Sequence, residues 1–172
     1  MVYLVSFYEY FNNIYLIIFM KNYIMDIKEF NHKTSIRVRT FDIDSQSIVH
    51  NAVYLEYLEI GRIEYRRNFG YSLLKNGMFN DGLKVVVVHN SLDYKSFAFV
   101  DDTLTIYTRI SWIKSSSFEF LQMIINEKTK EVICEGRGVC VNLNPKTNQS
   151  EPLPEKFIKE IKAFEKNLNI IS

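Results

Sequence analysis

The sequence is short of every residue that breaks or staples a chain: its 172 residues include 3 prolines, 6 glycines and 2 cysteines. That composition excludes a collagenous, low-complexity or disulfide-framed protein and leaves one globular domain with short extensions. A chain of this length buries roughly 70% of its unfolded surface, enough for a core without staples. The two cysteines, Cys134 and Cys140, share one apolar, strand-like run and one face of it. Six strand residues span roughly 20 Å, beyond the ~7 Å reach of a disulfide. Reduced core thiols are therefore expected, in a reducing, cytoplasmic compartment. An excess of one charge is also lacking: 21 basic against 20 acidic side chains leave +1, with no field to hold nucleic acid. There is no G-x-S-x-G elbow, phosphate loop, G-x-G-x-x-G or H-E-x-x-H. His32, His50 and His89 are scattered, and with two same-strand cysteines they make no zinc set. No metal is expected.

A long hydrophobic run is missing as well. Residues 1–24 are rich in aromatic and branched side chains, yet Glu9, Asn12 and Asn13 interrupt them, and the clean run 14–20 has seven residues. A membrane span needs ~20. Nor does a Lys or Arg precede the stretch, or a small-x-small site follow it, as a signal peptide requires. Three readings stay open: an added strand or amphipathic segment covering the domain, a weak membrane-surface anchor, or a start at Met20 or Met25. The expected organisation is an apolar extension over residues 1–30 and one domain over 31–172.

What is present is orderly. Residues 34–40 (TSIRVRT) alternate with Ile36 and Val38 on one face, the mark of a half-buried strand. Residues 51–69 place Tyr54, Leu58, Gly61, Tyr65 and Phe69 at helical spacing, with Glu56, Glu59, Arg62, Arg66 and Arg67 at mostly other positions. This predicts a long helix with two apolar sides, and Gly61 lets another backbone approach its middle. Beyond a turn-rich stretch at 75–82, strands are predicted at 85–94, 104–112, 118–126 and 132–143. The connections 114–117 and 127–130 are short, so consecutive strands should form antiparallel hairpins. Gly136 and Gly138, inside the last strand, mark a bulge or close packing rather than a phosphate loop. Pro154 precedes a final helix whose apolar stripe is Phe157, Ile158, Ile161 and Phe164. The order is α+β: one antiparallel sheet of about five strands curled round one long central helix, with a C-terminal helix.

Two stretches are less anonymous. FDIDSQSIVHNAVYLEYLEIGR, residues 41–62, resembles the opening motif of the hot-dog-fold acyl-CoA thioesterases of the hydroxybenzoyl-CoA thioesterase type, D-x-D-x-x-G, then N-x-x-Y-L, then E-x-x-R. LDYKSFAFVDDTLTIYT, residues 92–108, is similar to that family's D-Y-x-x-P-A-x-x-x-D-x-L-x-V-x-T, and PLPEK at 152–156 looks like its usual exit.

The resemblance implies a hot-dog fold and hydrolysis of a CoA thioester, without a cofactor. It makes Asp44 the catalytic carboxylate, as nucleophile or general base, and leaves Asp42 to cap or orient the loop. It implies that backbone N–H groups at a helix start polarise the carbonyl. His50 and Asn51 are expected beside the thioester, Tyr54 along the acyl site, and Tyr94 and Lys95 against substrate. Lys95, Lys114, Ser115 and Ser116 are candidates for the CoA phosphates. Edge-to-edge homodimers, or dimers of dimers, are implied too. Two positions depart from the pattern: Ser47 replaces the motif's Gly and Phe97 its Pro. Since Gly permits a tight turn and close substrate approach, Ser47 is expected to shape the substrate pocket. It also motivates the alternative of a domain that binds acyl-CoA or acyl carrier protein without hydrolysing it.

Overall fold

A computed structural model describes residues 25–171; the expectations for residues 1–24 lie outside the described part. The elements in chain order are β1 (His32–Arg37), α1 (Val53–Arg67), β2 (Lys84–Tyr94), β3 (Thr103–Ile113), β4 (Ser117–Asn126), β5 (Val132–Leu143), α2 (Glu155–Phe164) and a two-residue β6 (Asn169–Ile170). Short 3-10 turns occupy Ile27–Glu29 and Thr40–Asp42. The sheet order is β1-β3-β4-β5-β2, antiparallel throughout, with β6 added parallel to β3. The five expected strands and both helices are therefore present, and β6 was not anticipated. The tight turns do make hairpins of β3–β4 and β4–β5. The consecutive pair β2 and β3 is different: residues 95–102 carry the chain across the sheet, so β2 pairs with β5 and becomes an edge.

Helix α1 lies against β3, β1 and β4, with an apolar cluster at each end. Tyr54, Tyr57 and Leu58 pack with Ile106, Ile124 and Ile133 at one end. At the other, Tyr65 meets Ile110, Phe118, Phe120 and Ile161, the last of these from α2. Between them the helix makes its tightest approach. Gln122, 1% exposed on β4, donates through Nε2 to the Leu58 carbonyl at 2.7 Å and to Thr108 Oγ1 at 3.1 Å. The gap at Gly61 is filled by side chains, not by the second backbone expected. Gly136 and Gly138 stand in unbroken ladder register with β4, which decides for close packing over a bulge: Leu58 lies against the first and Arg62 against the second. Arg62 thus departs from the polar side assigned to it. It is 6% exposed, donating to Asn90 Oδ1 at 3.1 Å and pairing with Glu59 at 3.1 Å.

A Cβ on Gly61 would stand 2.7 Å from Gln122 Nε2, Ile106 Cγ2 and Thr108 Oγ1. Gly61→Ala should therefore destabilise the fold by about 1–3 kcal/mol, even though Ala favours an exposed helix by about 1 kcal/mol. Urea denaturation checks this, and a variant as stable as wild type would show that the interface has slack.

The opposite edge is closed by polar groups. Buried Glu165 accepts from Tyr65 Oη at 2.6 Å and from the Ile110 amide at 2.9 Å, in the gap between β1 and β6. Its carboxyl is raised by burial, which outweighs those two bonds. Buried Arg109 pairs with Glu29, and Phe30 packs edge-on against Tyr107 at 6.1 Å. Both cysteines are free and buried; burial pushes the Cys134 thiol up to about 12 and the Cys140 thiol to about 11.

Candidate active site

The loop from β1 to α1 is held by Asp42. Its carboxylate, 2% exposed, accepts from the Arg39 amide at 2.8 Å, from the Arg39 guanidinium at 2.8 Å and from Tyr57 Oη at 2.7 Å. Burial would raise this carboxyl, but the Arg39 and Tyr57 hydrogen bonds prevail and hold it below the ordinary range. The Asp42 carbonyl in turn accepts from the His50 amide at 2.8 Å. Asp42 is a structural anchor, the role expected of the first carboxylate in the motif.

Between those contacts residues 43–49 make a small closed turn. Ile43 and Val49 bridge its base, the Asp44 amide donates to the Ile48 carbonyl at 2.9 Å, and the Ser47 amide donates to the Asp44 carbonyl at 3.0 Å. Asp44 Oδ1 accepts from the Gln46 amide at 2.7 Å, leaving the side chain half-buried at the mouth of a cleft. Ser47 has φ 64°, the left-handed conformation for which the motif's Gly is suited. A non-Gly residue there costs roughly 1–2 kcal/mol. Part of that is recovered in the stiffer unfolded chain, so Ser47→Gly should raise stability by up to about 1 kcal/mol. Thermal unfolding checks the sign.

The cleft, about 460 Å³, is bounded by this turn, by the first residues of α1 and by the end of β2 with the segment that follows. Asp44, Asn51, Tyr54, Tyr94 and Lys95 all line it. The Val49 amide donates to the Ala98 carbonyl at 2.9 Å, tying the turn to the β2–β3 crossing. Tyr94 donates through its hydroxyl to the Asn51 carbonyl at 3.0 Å and meets the Tyr54 ring edge-on at 5.4 Å. Burial pushes the Tyr54 phenol up to about 12. Lys95 Nζ lies 3.4 Å from Glu135 and 4.0 Å from Asp93, with its side chain 45% exposed.

Other expected residues stand apart. Ser47 shapes the turn without lining the cleft. His50 is exposed and does not line it either; its Nδ1 accepts from the Ala52 amide at 3.2 Å, capping the approach to α1. Lys114, Ser115 and Ser116 follow the far end of β3 and do not line the cleft. Gln46, Ile48, Val49, Ser96 and Phe97 also line it. Of these only Phe97 carried a signal in the sequence, as the residue in place of the motif's Pro.

Residues 38–161 match the thioesterase-like superfamily, a span from the end of β1 into α2. The chain belongs to this family. Among curated relatives, the acyl-CoA thioester hydrolase YbgC of Escherichia coli O6:H1 is 27% identical over 127 residues, covering 74% of this chain and 92% of that one. The long-chain acyl-CoA thioesterase FadM of Escherichia coli is 27% identical over 137 residues, 78% of this chain and 99% of that one. A thioesterase from Thermus thermophilus, solved with coenzyme A and Zn, superposes with TM-score 0.68 at 27% identity, over 80% of this chain and 96% of that one. The sheet wrapped round α1 is the hot-dog fold of the family. Among the described residues no helix is long and apolar enough to cross a membrane.

Proposed function

We propose that the protein hydrolyses an acyl-CoA thioester to a free carboxylic acid and CoA, with Asp44 as its catalytic carboxylate. One observation carries this reading: a half-buried carboxylate on a closed turn shares a cleft with the first residues of a helix. A helix start presents N–H donors and partial positive charge. A thioester carbonyl lodged beside Asn51 and Tyr54 is polarised there, and negative charge developing on its oxygen is stabilised.

Two routes fit a single placed carboxylate. Asp44 attacks the carbonyl carbon, the C–S bond breaks with its electrons going to the CoA thiolate, and water opens the resulting mixed anhydride. Alternatively Asp44 takes a proton from the water that attacks. In both, the thiolate leaves readily enough that no triad is needed. The YbgC, FadM and CoA-bound Thermus relatives support CoA as the leaving group. Lys95, exposed at the rim, is suited to meet its phosphates.

Two copies are expected to join. Strand β2 runs 11 residues along an edge of the sheet, with Val87 42% and Val88 58% exposed. An open edge of that length and character is a template for pairing with another β2. Light scattering should give twice the chain mass, and Val88→Lys, which puts a charge on the exposed edge, should shift the mass toward one. The buried free thiols support a reducing compartment such as the cytoplasm.

The test is free-thiol release from short, medium, long and aromatic acyl-CoA. Release from at least one supports the reading. No release from any, with acyl-CoA still raising the melting temperature, would make this a binding domain instead.

A further inference from the structure

The cleft stops at α1 for a specific reason. Tyr94 crosses from the end of β2 to the start of α1, held by its hydroxyl on the Asn51 carbonyl at 3.0 Å, with its ring against Tyr54 at 5.4 Å. One helical turn further on, Leu58 is 1% exposed and so close to Gly136 that a Cβ there would lie 2.5 Å from its Cδ1. A turn beyond, Arg62 fills the space over Gly138 and bonds Asn90 of β2. Tyr54, Leu58 and Arg62 therefore step along one face of α1 at four-residue spacing and fill the groove between helix and sheet.

Past them the groove reopens. A second cavity of about 70 Å³ is bounded by Arg62, Phe79, Val85, Val87, Phe120 and Cys140 among others, and it shares no lining residue with the Asp44 cleft. From Tyr54 to Arg62 is eight helical residues, about 12 Å. Packed side chains separate the two spaces along α1, and the wall of the far one mixes Glu59, Arg62 and Arg66 with apolar residues.

Resting on the thioesterase reading above, we propose that Tyr54, Tyr94 and Leu58 form the floor of the acyl site. The protein then takes compact acyl groups, short aliphatic or single-ring, and excludes long chains. Leu58 is the first side chain behind the tyrosine pair on this face of α1, with Arg62 a turn behind it, so Leu58 sets the depth of the site. Tyr94 is the outer part of the floor, 51% exposed and so removable without emptying the core.

The experiment measures thiol release and, in parallel, the rise in melting temperature with the same acyl-CoA series from two carbons to sixteen, on wild type, Leu58→Ala and Tyr94→Ala. Wild type is expected to lose at least tenfold in kcat/KM between the short and the long ends of the series. Leu58→Ala should raise the long-to-short ratio at least tenfold, and Tyr94→Ala should move it the same way by less. Variants count only if they unfold cooperatively, and Leu58→Val serves where Leu58→Ala does not. A wild type that handles sixteen carbons as well as two overturns the proposal, as does an unchanged ratio in folded variants. Failure of hydrolysis with the binding series still ordered by length would sink the hydrolase reading and leave the floor standing.

Discussion

Asp44→Asn is expected to lower kcat/KM for the best acyl-CoA by at least about 10³-fold, equivalent to about 4 kcal/mol in the barrier. The amide keeps the shape of the side chain and the acceptor that the Gln46 amide uses at 2.7 Å, so the turn should persist and stability should stay within about 0.5 kcal/mol of wild type. What the amide loses is the lone-pair basicity on which both routes depend. It neither adds to a carbonyl nor takes a proton from water at neutral pH. A loss of that size with an unchanged melting temperature separates chemistry from folding. Turnover within about tenfold of wild type would mean that Asp44 is not the reacting group. Attention would then pass to water held by other groups of the cleft, with Gln46, Asn51 and Ser96 among the polar side chains that line it.

How much of this was legible in the sequence depends on the range of the interactions involved. The alternation of residues 104–112 and the helical spacing of Tyr54, Leu58 and Tyr65 are local, and the elements lie where those periods place them. Strand β5 matches its expected bounds because two branched, apolar stretches, 132–134 and 139–141, lie within it between two turns. The partner of β2 was not legible, since nothing in residues 84–94 distinguishes β5 from β3. The crossing is set by the Val38–Asp102 and Lys95–Ile133 backbone bonds far along the chain. The burial of Arg62 is also non-local: its charge reads as a solvated face until Gly138 and Asn90 make a slot for it. At the site, Asp44, Asn51, Tyr54, Tyr94 and Lys95 were reached through the family motif, and the cleft brings them together. Gln46, Ile48 and Val49 join them because the turn folds back on itself and binds Ala98, a closure that no period records. The special backbone of Ser47 showed only as a departure from the motif's Gly.

The neighbouring carboxylate should behave in the opposite way. Asp42→Ala removes the acceptor for the Arg39 amide, the Arg39 guanidinium and the Tyr57 hydroxyl together. The Arg39 side chain is 61% exposed, so its pairing in water contributes little. The cost falls on the buried side, where Tyr57, 1% exposed, keeps a hydroxyl with no partner. An unsatisfied buried group costs about 1–3 kcal/mol and hydrogen bonds to a charge contribute about 1.5–3, so a loss of about 3 kcal/mol is expected, read by urea denaturation. Activity should fall as well, because the lost carboxylate anchors the backbone whose Asp42 carbonyl holds His50 and, with it, the turn that presents Asp44.

The pH dependence fixes the assignment. The folded-state carboxyl lies below its ordinary 3.8, so it binds fewer protons folded than unfolded. Its contribution is complete above that ordinary value and fades as the pH drops through the lowered one. The stability gap between wild type and Asp42→Ala should therefore be constant from neutral pH to about 5 and close progressively below about 4. A gap that stayed the same down to pH 2 would mean that the variant loses packing rather than a charge. In that case the turn carrying Asp44 would rest on Tyr57 and the Ile43–Val49 bridge, not on the buried carboxylate.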